Sequence, residues 1–333
     1  MGYSPYIAFD YLNYEHSGLV STAVREVVAS GNTTRSWQSL YTDAPVIEFP
    51  MKNEYGNCYV AFVDGVAINN GFAQYAPVSD DNLTYRIRLK LGAPGITRKI
   101  QMGLRGQALG ATIGSAYTMT AAPQSGDPVL CIGDSWSYGT GAALDTVDPF
   151  GGTQPGILWN SCAAVAGRLL DKNLFIAAKG GTGWSNSNGG ATYDGNFLER
   201  LTARLAGDGR TYSEFWFIGS GNDKDENFTT VKNNMLAGYA LCRAHNPDCR
   251  IYQVGPGSYD LLPNLGSNWL NLRTAMIEAV SNYPDVNWLD TYGWLTSAAD
   301  ITANIHGAGT HPTKTGHAAY GALIADWIEG LEA

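Results

Sequence analysis

Four short motifs in the sequence carry groups that could act together in nucleophilic catalysis. Ser135 lies in a Gly-Asp-Ser motif and offers a hydroxyl, and His311, followed by a proline, offers an imidazole that could take its proton. Gly180 begins a glycine-rich turn, and Asn222 lies in a Gly-Asn-Asp segment. A backbone N–H at such a glycine and an asparagine amide can stabilise a developing oxyanion. The motifs therefore supply a nucleophile, a general base and oxyanion donors.

Each motif by itself also has an ordinary structural explanation. A serine at the start of a helix often caps the first turn, and asparagine in a turn commonly bonds to the local backbone. Glycines give a turn conformational freedom, and a single histidine in a loop is usually a surface residue. The chemical interpretation depends on all four motifs occurring together in complementary roles.

The four motifs follow, or lie close to, apolar runs with the character of buried strands. Five runs are apolar on both faces, as in a parallel sheet covered by helices, and they lie at residues 129–134, 174–178, 214–220, 249–255 and 286–290. Helical patterns lie between and after them, at residues 156–170, 197–205, 271–280 and 316–331. This order predicts a three-layer α/β/α domain. Functional residues in such sheets are expected at the carboxyl ends of the strands.

The N-terminal part of the chain shows a different periodicity. Apolar and polar residues alternate over 85–91 and again over 99–104, which is typical of half-buried strands. The Asp64-Gly65 pair is typical of a turn between two strands. Several short strands with such turns predict a jelly-roll-like β-sandwich.

A Pro/Gly/Ser-rich stretch at residues 121–128 separates the two patterns. The sequence therefore predicts two domains, a β-sandwich accessory domain at 1–124 and the α/β domain at 125–333.

Composition excludes several classes of partner. The formal net charge is −9 with only 21 Lys and Arg, so no basic patch is available for nucleic acid or for an anionic membrane surface. No apolar stretch reaches the roughly 18 to 20 residues needed to span a bilayer. We expect a soluble protein, or one that arrives without its targeting segment.

The cysteines do not form the pattern of a disulfide framework. Of five, only Cys242 and Cys249 lie close enough in sequence to indicate a bridge. These two and His245 are residue types that bind zinc, but a fourth matched ligand is missing, and no metal site is predicted.

Together the four motifs resemble the GDSL/SGNH hydrolase family, and the resemblance covers roughly residues 127–333. It implies that Ser135 attacks an ester carbonyl while His311 takes the proton and later returns it to the leaving alcohol. Water would then hydrolyse the acyl-enzyme.

The resemblance also implies which groups would hold the oxyanion. They are the N–H of Ser135, the N–H of Gly180 or of the adjacent Gly181, and the side-chain amide of Asn222. This mechanism requires no cofactor.

The sequence departs from the family at the triad acid. The family usually has an aspartate three residues before the histidine, and here that position is Ala308. Carbohydrate esterases of family two, which pair a β-sandwich with the hydrolase domain, resemble this chain and can orient the histidine with a backbone carbonyl. The interpretation we favour is therefore a Ser-His dyad. The alternatives are an engineered Asp→Ala change and a natural pseudoenzyme that only binds.

Two other aspartates are poor substitutes for the missing acid. Asp134 is adjacent to Ser135 and cannot easily reach the far nitrogen of the same imidazole, so it is expected to brace its loop. Asp300 lies eight residues before Ala308, and nothing in the spacing requires it to approach His311.

Three aromatic residues adjoin the motifs and could offer flat surfaces to sugar rings. Trp136 and Tyr138 follow the nucleophile, and Trp184 follows the glycine turn. Each could equally pack against the sheet. With the family resemblance, they lead to the interpretation of an esterase that removes acetyl groups from an O-acetylated polysaccharide.

Two other functions are alternatives to this one. A short-chain lipase or thioesterase keeps the chemistry, but no amphipathic lid or Leu/Met-rich insertion stands out between the motifs. A carbohydrate-binding protein without turnover is favoured if Ala308 disables the site. The abundance of Gly, Asn, Ser, Thr, Tyr and Trp predicts an extracellular protein, either secreted or carried on a virion.

Overall fold

A computed structural model gives the structure of the chain. It describes residues 7–11, 25–30, 33–52, 59–68, 84–105, 107–108, 111–121, 126–140, 160–189, 195–207, 209–257, 259–261, 264–305 and 310–332. Contacts between Cα atoms divide the chain into two compact units, Met1–Gln124 and Ser125–Ala333.

The N-terminal unit is built from antiparallel strands. Its strands are β1 Ile7–Tyr11, β2 Arg25–Ser30, β3 Thr33–Thr42, β4 Val46–Lys52, β5 Tyr59–Val63, β6 Val66–Ala67, β7 Thr84–Lys90, β8 Arg98–Arg105, β9 Gln107–Ala108, β10 Thr112–Ile113 and β11 Met119–Ala121. One sheet has the order β1-β7-β4-β10 with β9 beside β4, and the other has the order β11-β3-β8-β5-β6 with β2 beside β3.

Side chains from both sheets form one buried apolar cluster, which is the arrangement of a β-sandwich. One sheet contributes Ile47, Phe49, Ile87 and Leu89, and the other contributes Leu40, Ile100 and Met102. The alternation predicted for β7 and β8 is confirmed at these positions. Asp64 and Gly65 both have positive φ, 52° and 80°, and they join β5 to β6 as the predicted turn.

The C-terminal unit contains one parallel sheet. Its strands are β12 Pro128–Gly133, β13 Asn173–Ala178, β14 Glu214–Ile218, β15 Arg250–Val254 and β16 Val286–Leu289, and all five predicted runs are confirmed. The order is β13-β12-β14-β15-β16, and every neighbouring pair is parallel. The chain therefore reverses its direction of travel across the sheet between β12 and its neighbours, and ligands bind at such a switch point.

Helices cover both faces of this sheet. They are α1 Ser135–Tyr138, α2 Cys162–Leu169, α3 Phe197–Gly207, α4 Phe228–His245, α5 Ser267–Ser281, α6 Ala298–Asn304 and α7 Lys314–Glu332. One buried cluster packs α2 and α7 against the sheet, and another packs α3, α4 and α5 against the opposite face. The predicted three-layer α/β/α architecture is confirmed.

Helix α4 was not predicted, although its sequence carries the expected signals. Asn227 caps its first turn by accepting from the N–H groups of Thr229 and Thr230. Val231, Met235, Tyr239 and Cys242 recur at helical spacing and are all buried. Helix α6 is short and buries none of its residues, so it leaves no periodic pattern in the sequence.

The predicted disulfide between Cys242 and Cys249 is wrong. Both cysteines are free, and the Cys249 thiol approaches the Cys242 carbonyl at 3.6 Å instead of its sulfur. His245 accepts a hydrogen bond from the Tyr212 N–H at 3.3 Å. Within the described ranges no group of three His, Cys, Asp or Glu residues could hold a metal ion.

None of the described helices is both long enough and apolar enough to cross a bilayer.

Candidate active site

Ser135 begins α1 directly after β12 ends at Gly133. Asp134 is the N-cap, and its carboxylate accepts a hydrogen bond from the Trp136 N–H at 2.9 Å. The turn is so tight that a Cβ on Gly133 would lie 2.2 Å from the Ser137 hydroxyl oxygen, so only glycine fits there. The fold thus fixes the nucleophile candidate at a strand-to-helix turn, with Ser135 8% exposed.

The glycine turn after β13 lies beside Ser135. The Lys179 N–H donates to the Gly133 carbonyl at 3.1 Å, which holds the two strand ends together. A Cβ on Gly180 would lie 3.7 Å from the Ser135 Cβ, whereas one on Gly181 would lie 2.5 Å from the Asn188 amide nitrogen. Of the two alternatives, Gly180 is therefore the glycine that borders Ser135.

Asn222 lies in a 3-10 turn, Gly221–Asp223, that follows β14. Its side-chain amide donates one hydrogen bond to the Thr182 carbonyl at 2.9 Å, and its own carbonyl accepts from Asn186 at 3.2 Å. A primary amide carries two N–H donors. The contact with Thr182 uses one of them and fixes the orientation of the amide.

Asp134 joins the nucleophile turn to the Asn222 loop. Its second carboxylate oxygen accepts from the Ser220 N–H at 2.9 Å. Gly219, with φ of 111°, lies so close that a Cβ would be 2.3 Å from this carboxylate. Burial raises the pKa of Asp134 to about 6, while the backbone hydrogen bonds and the charge of Arg200 oppose that shift. The role of loop brace expected from the sequence agrees with these contacts.

Asp223 likewise joins two loops, the one that carries Asn222 and the one that follows the glycine turn. One oxygen accepts from the Trp184 N–H at 2.6 Å and from the Ser220 hydroxyl, and the other accepts from the N–H groups of Ser185 and Asn186. Burial raises the pKa of Asp223, and these hydrogen bonds oppose the increase. In the sequence, Asp223 is visible only as the last residue of the Gly-Asn-Asp segment, and no local pattern predicts this role.

Arg200 is a further residue that no motif in the sequence predicts. Its guanidinium is buried and donates to the Gly133 carbonyl at 2.7 Å and to the Thr182 hydroxyl at 2.9 Å. It therefore connects the end of β12 to the glycine turn. The available signal was its position on α3 between Phe197 and Leu201, because an arginine among core positions needs buried partners.

The segment that carries His311 is attached to the nucleophile turn. The Trp136 indole N–H donates to the carbonyl of Thr310, the residue just before His311, at 3.0 Å. On the other side of the histidine, Pro312 forms an antiparallel bridge with Ile305. His311 is half-buried. The structure thus brings the candidate base to the same end of the sheet as Ser135.

His317 is excluded as the base by its contacts. It is fully buried, its Nδ1 accepts from the Cys162 N–H at 3.2 Å, and its Nε2 lies 2.9 Å from the Thr140 carbonyl. These two contacts indicate a neutral ring protonated at Nε2. His317 therefore anchors α7 to the segments around α1 and α2.

The triad acid position, Ala308, lies outside the described residues. Asp300 caps a local turn instead of approaching a base, since its carboxylate accepts from the N–H and the hydroxyl of Thr296 at 2.9 and 2.6 Å. These hydrogen bonds lower the pKa of Asp300.

The aromatic residues differ in their access to the site. Trp184 has no exposed surface and packs against Phe217 with ring centroids 4.6 Å apart, so its prediction as a sugar-binding surface is wrong. Trp136 is only 7% exposed and packs against Tyr320, which leaves it little surface for a ligand. Tyr138 is half-buried and stays a prediction.

In the parallel sheet of this unit a serine follows the first strand, and glycine and asparagine turns lie beside it. The segment that carries the histidine bonds to the same turn. These features are typical of the class of ester hydrolases. A family model described as the GDSL-like lipase/acylhydrolase family matches residues 131–319. The chain belongs to this family, as the motif resemblance predicted.

Solved structures show the same fold over nearly the whole chain. A family two carbohydrate esterase from Clostridium thermocellum, in complex with cellohexaose, is 16% identical with a TM-score of 0.69, covering 94% of this chain and 98% of that one. An acetyl xylan esterase from Butyrivibrio proteoclasticus is 11% identical with a TM-score of 0.62, covering 93% and 96%.

A salicylyl-acyltransferase from a tetracycline biosynthetic pathway is 16% identical with a TM-score of 0.63, covering 90% of this chain and 82% of that one. At these identities the likeness shows the fold. No curated protein sequence matches the chain at a significant level.

We predict that Asn222→Ala lowers kcat for ester hydrolysis about 10²- to 10³-fold with little change in KM, because an oxyanion donor acts mainly in the transition state. Steady-state kinetics with 4-nitrophenyl acetate measure this. Asn268→Ala, the same change at an exposed position on α5, is the matched control. Equal kcat values for the two variants would contradict the assignment.

A second prediction concerns Asp134 and the pH dependence of folding. Because its pKa is raised from 3.8 to about 6 in the folded protein, its contribution to stability is complete below about pH 4 and is lost as the pH rises through 6. Relative to Asp134→Asn, which does not titrate, the free energy of unfolding should fall by about 3 kcal/mol over this range. Urea unfolding at a series of pH values measures the difference, and a pH-independent difference would count against the shift.

Proposed function

We propose that this protein is a serine esterase that removes O-acetyl groups from a polysaccharide. The observation that carries the proposal is the meeting of three loops at one edge of the parallel sheet. Gly180 borders Ser135, Asp134 bonds to the loop that carries Asn222, and Trp136 bonds to the residue before His311.

The proposed reaction begins with attack of the Ser135 hydroxyl on the ester carbonyl while His311 takes its proton. The resulting oxyanion is stabilised by the N–H groups of Ser135 and Gly180 and by the free N–H of the Asn222 amide. His311 returns the proton to the leaving sugar hydroxyl as the tetrahedral intermediate collapses. Water, activated by the same imidazole, then releases acetate from the acyl-enzyme.

Support for a small acyl group comes from solved structures of the same fold, which include an acetyl xylan esterase. The carbohydrate esterases of the same fold support a glycan as the alcohol part of the substrate. Since a polysaccharide substrate lies outside the cell, we also propose an extracellular location.

The second candidate function is carbohydrate binding without turnover. It is favoured by Ala308, because an orienting carboxylate stabilises the imidazolium that forms during catalysis. Binding of the acetylated polysaccharide without release of acetate would distinguish this candidate from the esterase.

The central test is the Ser135→Ala variant. We expect it to lose acetate release from an acetylated polysaccharide and nitrophenol release from 4-nitrophenyl acetate by at least about 10³-fold. Ser137→Ala is the matched control: it removes the same hydroxyl two residues along the same turn, where the side chain is buried and bonds to the Ile218 carbonyl at 3.4 Å. Activity that survives in Ser135→Ala would overturn the proposal.

The Ala308→Asp variant tests the dyad separately. If a backbone carbonyl already orients His311, adding the carboxylate should change kcat by less than about tenfold, since the imidazole gains no new orientation. The same two substrates measure it. A silent wild-type protein that becomes active on Ala308→Asp would show a disabled triad, and silence in both would favour the binding protein.

A further inference from the structure

Trp136 makes a contact that no catalytic motif requires. Its indole N–H donates to the Thr310 carbonyl at 3.0 Å, across 174 residues of sequence. The donor belongs to the residue after the nucleophile, and the acceptor belongs to the residue before the base. One hydrogen bond therefore joins the two reacting segments directly.

The indole is held rigidly enough to act as an anchor. It is 7% exposed, and its ring lies 4.8 Å from that of Tyr320 on α7. On another side it contacts Gly257, where an added Cβ would lie 2.4 Å from the indole, so only glycine leaves room for the ring. A donor fixed on several sides costs little further entropy when it holds its acceptor.

The remaining anchors of the histidine loop lie on its other side. Pro312 pairs with Ile305, and the Thr313 N–H donates to the Asn304 carbonyl at 2.9 Å. These contacts fix the backbone after His311 to α6. The bond from Trp136 to Thr310 fixes the backbone before it to the nucleophile turn.

We propose that Trp136 is a positioning residue that sets the distance and angle of His311 relative to Ser135. The inference rests on the proposed esterase function. The position where the family carries its orienting aspartate is Ala308, whose side chain has no hydrogen-bonding group. Trp136 instead orients His311 from the side of Ser135, because its indole bonds the residue before the base to the turn that carries the nucleophile.

The test compares Trp136→Phe with Trp294→Phe. The first removes the indole N–H and keeps an aromatic ring in the same place. The second makes the same change at another tryptophan that contacts Tyr320. The Trp294 ring stacks on Tyr320 with centroids 5.2 Å apart, and Trp294 and Trp136 line one small apolar cavity. Both variants lose similar packing, so thermal unfolding should shift by similar amounts.

The expected result is a fall in kcat of about 10- to 100-fold for Trp136→Phe with KM unchanged, because a small misplacement of the base slows chemistry without weakening binding. Trp294→Phe should keep kcat within about threefold of wild type. Two outcomes would overturn the inference and leave the esterase function intact. One is an equal fall of kcat in both tryptophan variants, and the other is an unchanged kcat in Trp136→Phe while Ser135→Ala is inactive.

A second measurement does not depend on turnover. Hydrogen exchange should show faster exchange at residues 310–313 in Trp136→Phe than in Trp294→Phe, because only the first loses the bond to Thr310. Equal exchange in the two variants would overturn the positioning role. This result stands even if Ser135→Ala and the wild type prove equally inactive, which would reject the esterase function alone.

Discussion

Asp134 accepts hydrogen bonds from two backbone N–H groups, one in its own turn and one on Ser220, 86 residues later in the chain. Both lie where water is excluded, so the carboxylate oxygens are the acceptors these donors have, and losing them would leave buried groups unsatisfied. The Ser135 turn and the Asn222 loop each donate to one oxygen of this carboxylate, so the side chain of Asp134 fixes the distance between them. Asp223 repeats the arrangement between the Asn222 turn and the glycine loop.

Two buried carboxylates, Asp134 and Asp223, lie among these loops, and Arg200 places a positive charge near Asp134. Its guanidinium bonds to the Gly133 carbonyl and the Thr182 hydroxyl. Its charge is one of the influences that limit the rise in the pKa of Asp134. The carboxylates, in turn, are largely occupied by N–H donors, and each such bond spreads their charge over the backbone. The loops are therefore held by buried hydrogen bonds from backbone N–H groups to the two carboxylates and from Arg200 to neighbouring oxygens.

Much of the fold could be predicted from sequence because the relevant signals are local. The five parallel strands are short runs that are apolar on both faces, and the N-terminal strands alternate, so their periods identify them. The wrong predictions concern the direction in which a side chain points. Trp184 adjoins the glycine turn in sequence, but its side chain points into the core between α3 and α4. Cys242 and Cys249 are close along the chain, yet the Cys249 sulfur faces a carbonyl.

The motifs of the candidate site could be recognised from sequence, but their mutual positions could not. Those positions depend on contacts between distant segments, such as the bonds made by Asp134, Arg200 and Trp136. Each of these side chains carries a local pattern that fits a cap or a core position equally well. Only the folded chain shows that all three converge on the ends of neighbouring strands.

The bridge between Ile305 and Pro312 attaches the segment that carries His311 to the end of α6. Beside it, the Thr313 N–H donates to the Asn304 carbonyl at 2.9 Å, and the Thr313 hydroxyl bonds to the Ala303 carbonyl at 3.1 Å. Both acceptors on α6 are backbone carbonyls, so these two bonds do not depend on which side chains stand at positions 303 and 304. Evolution can therefore exchange those side chains while the attachment of the histidine segment to α6 is kept.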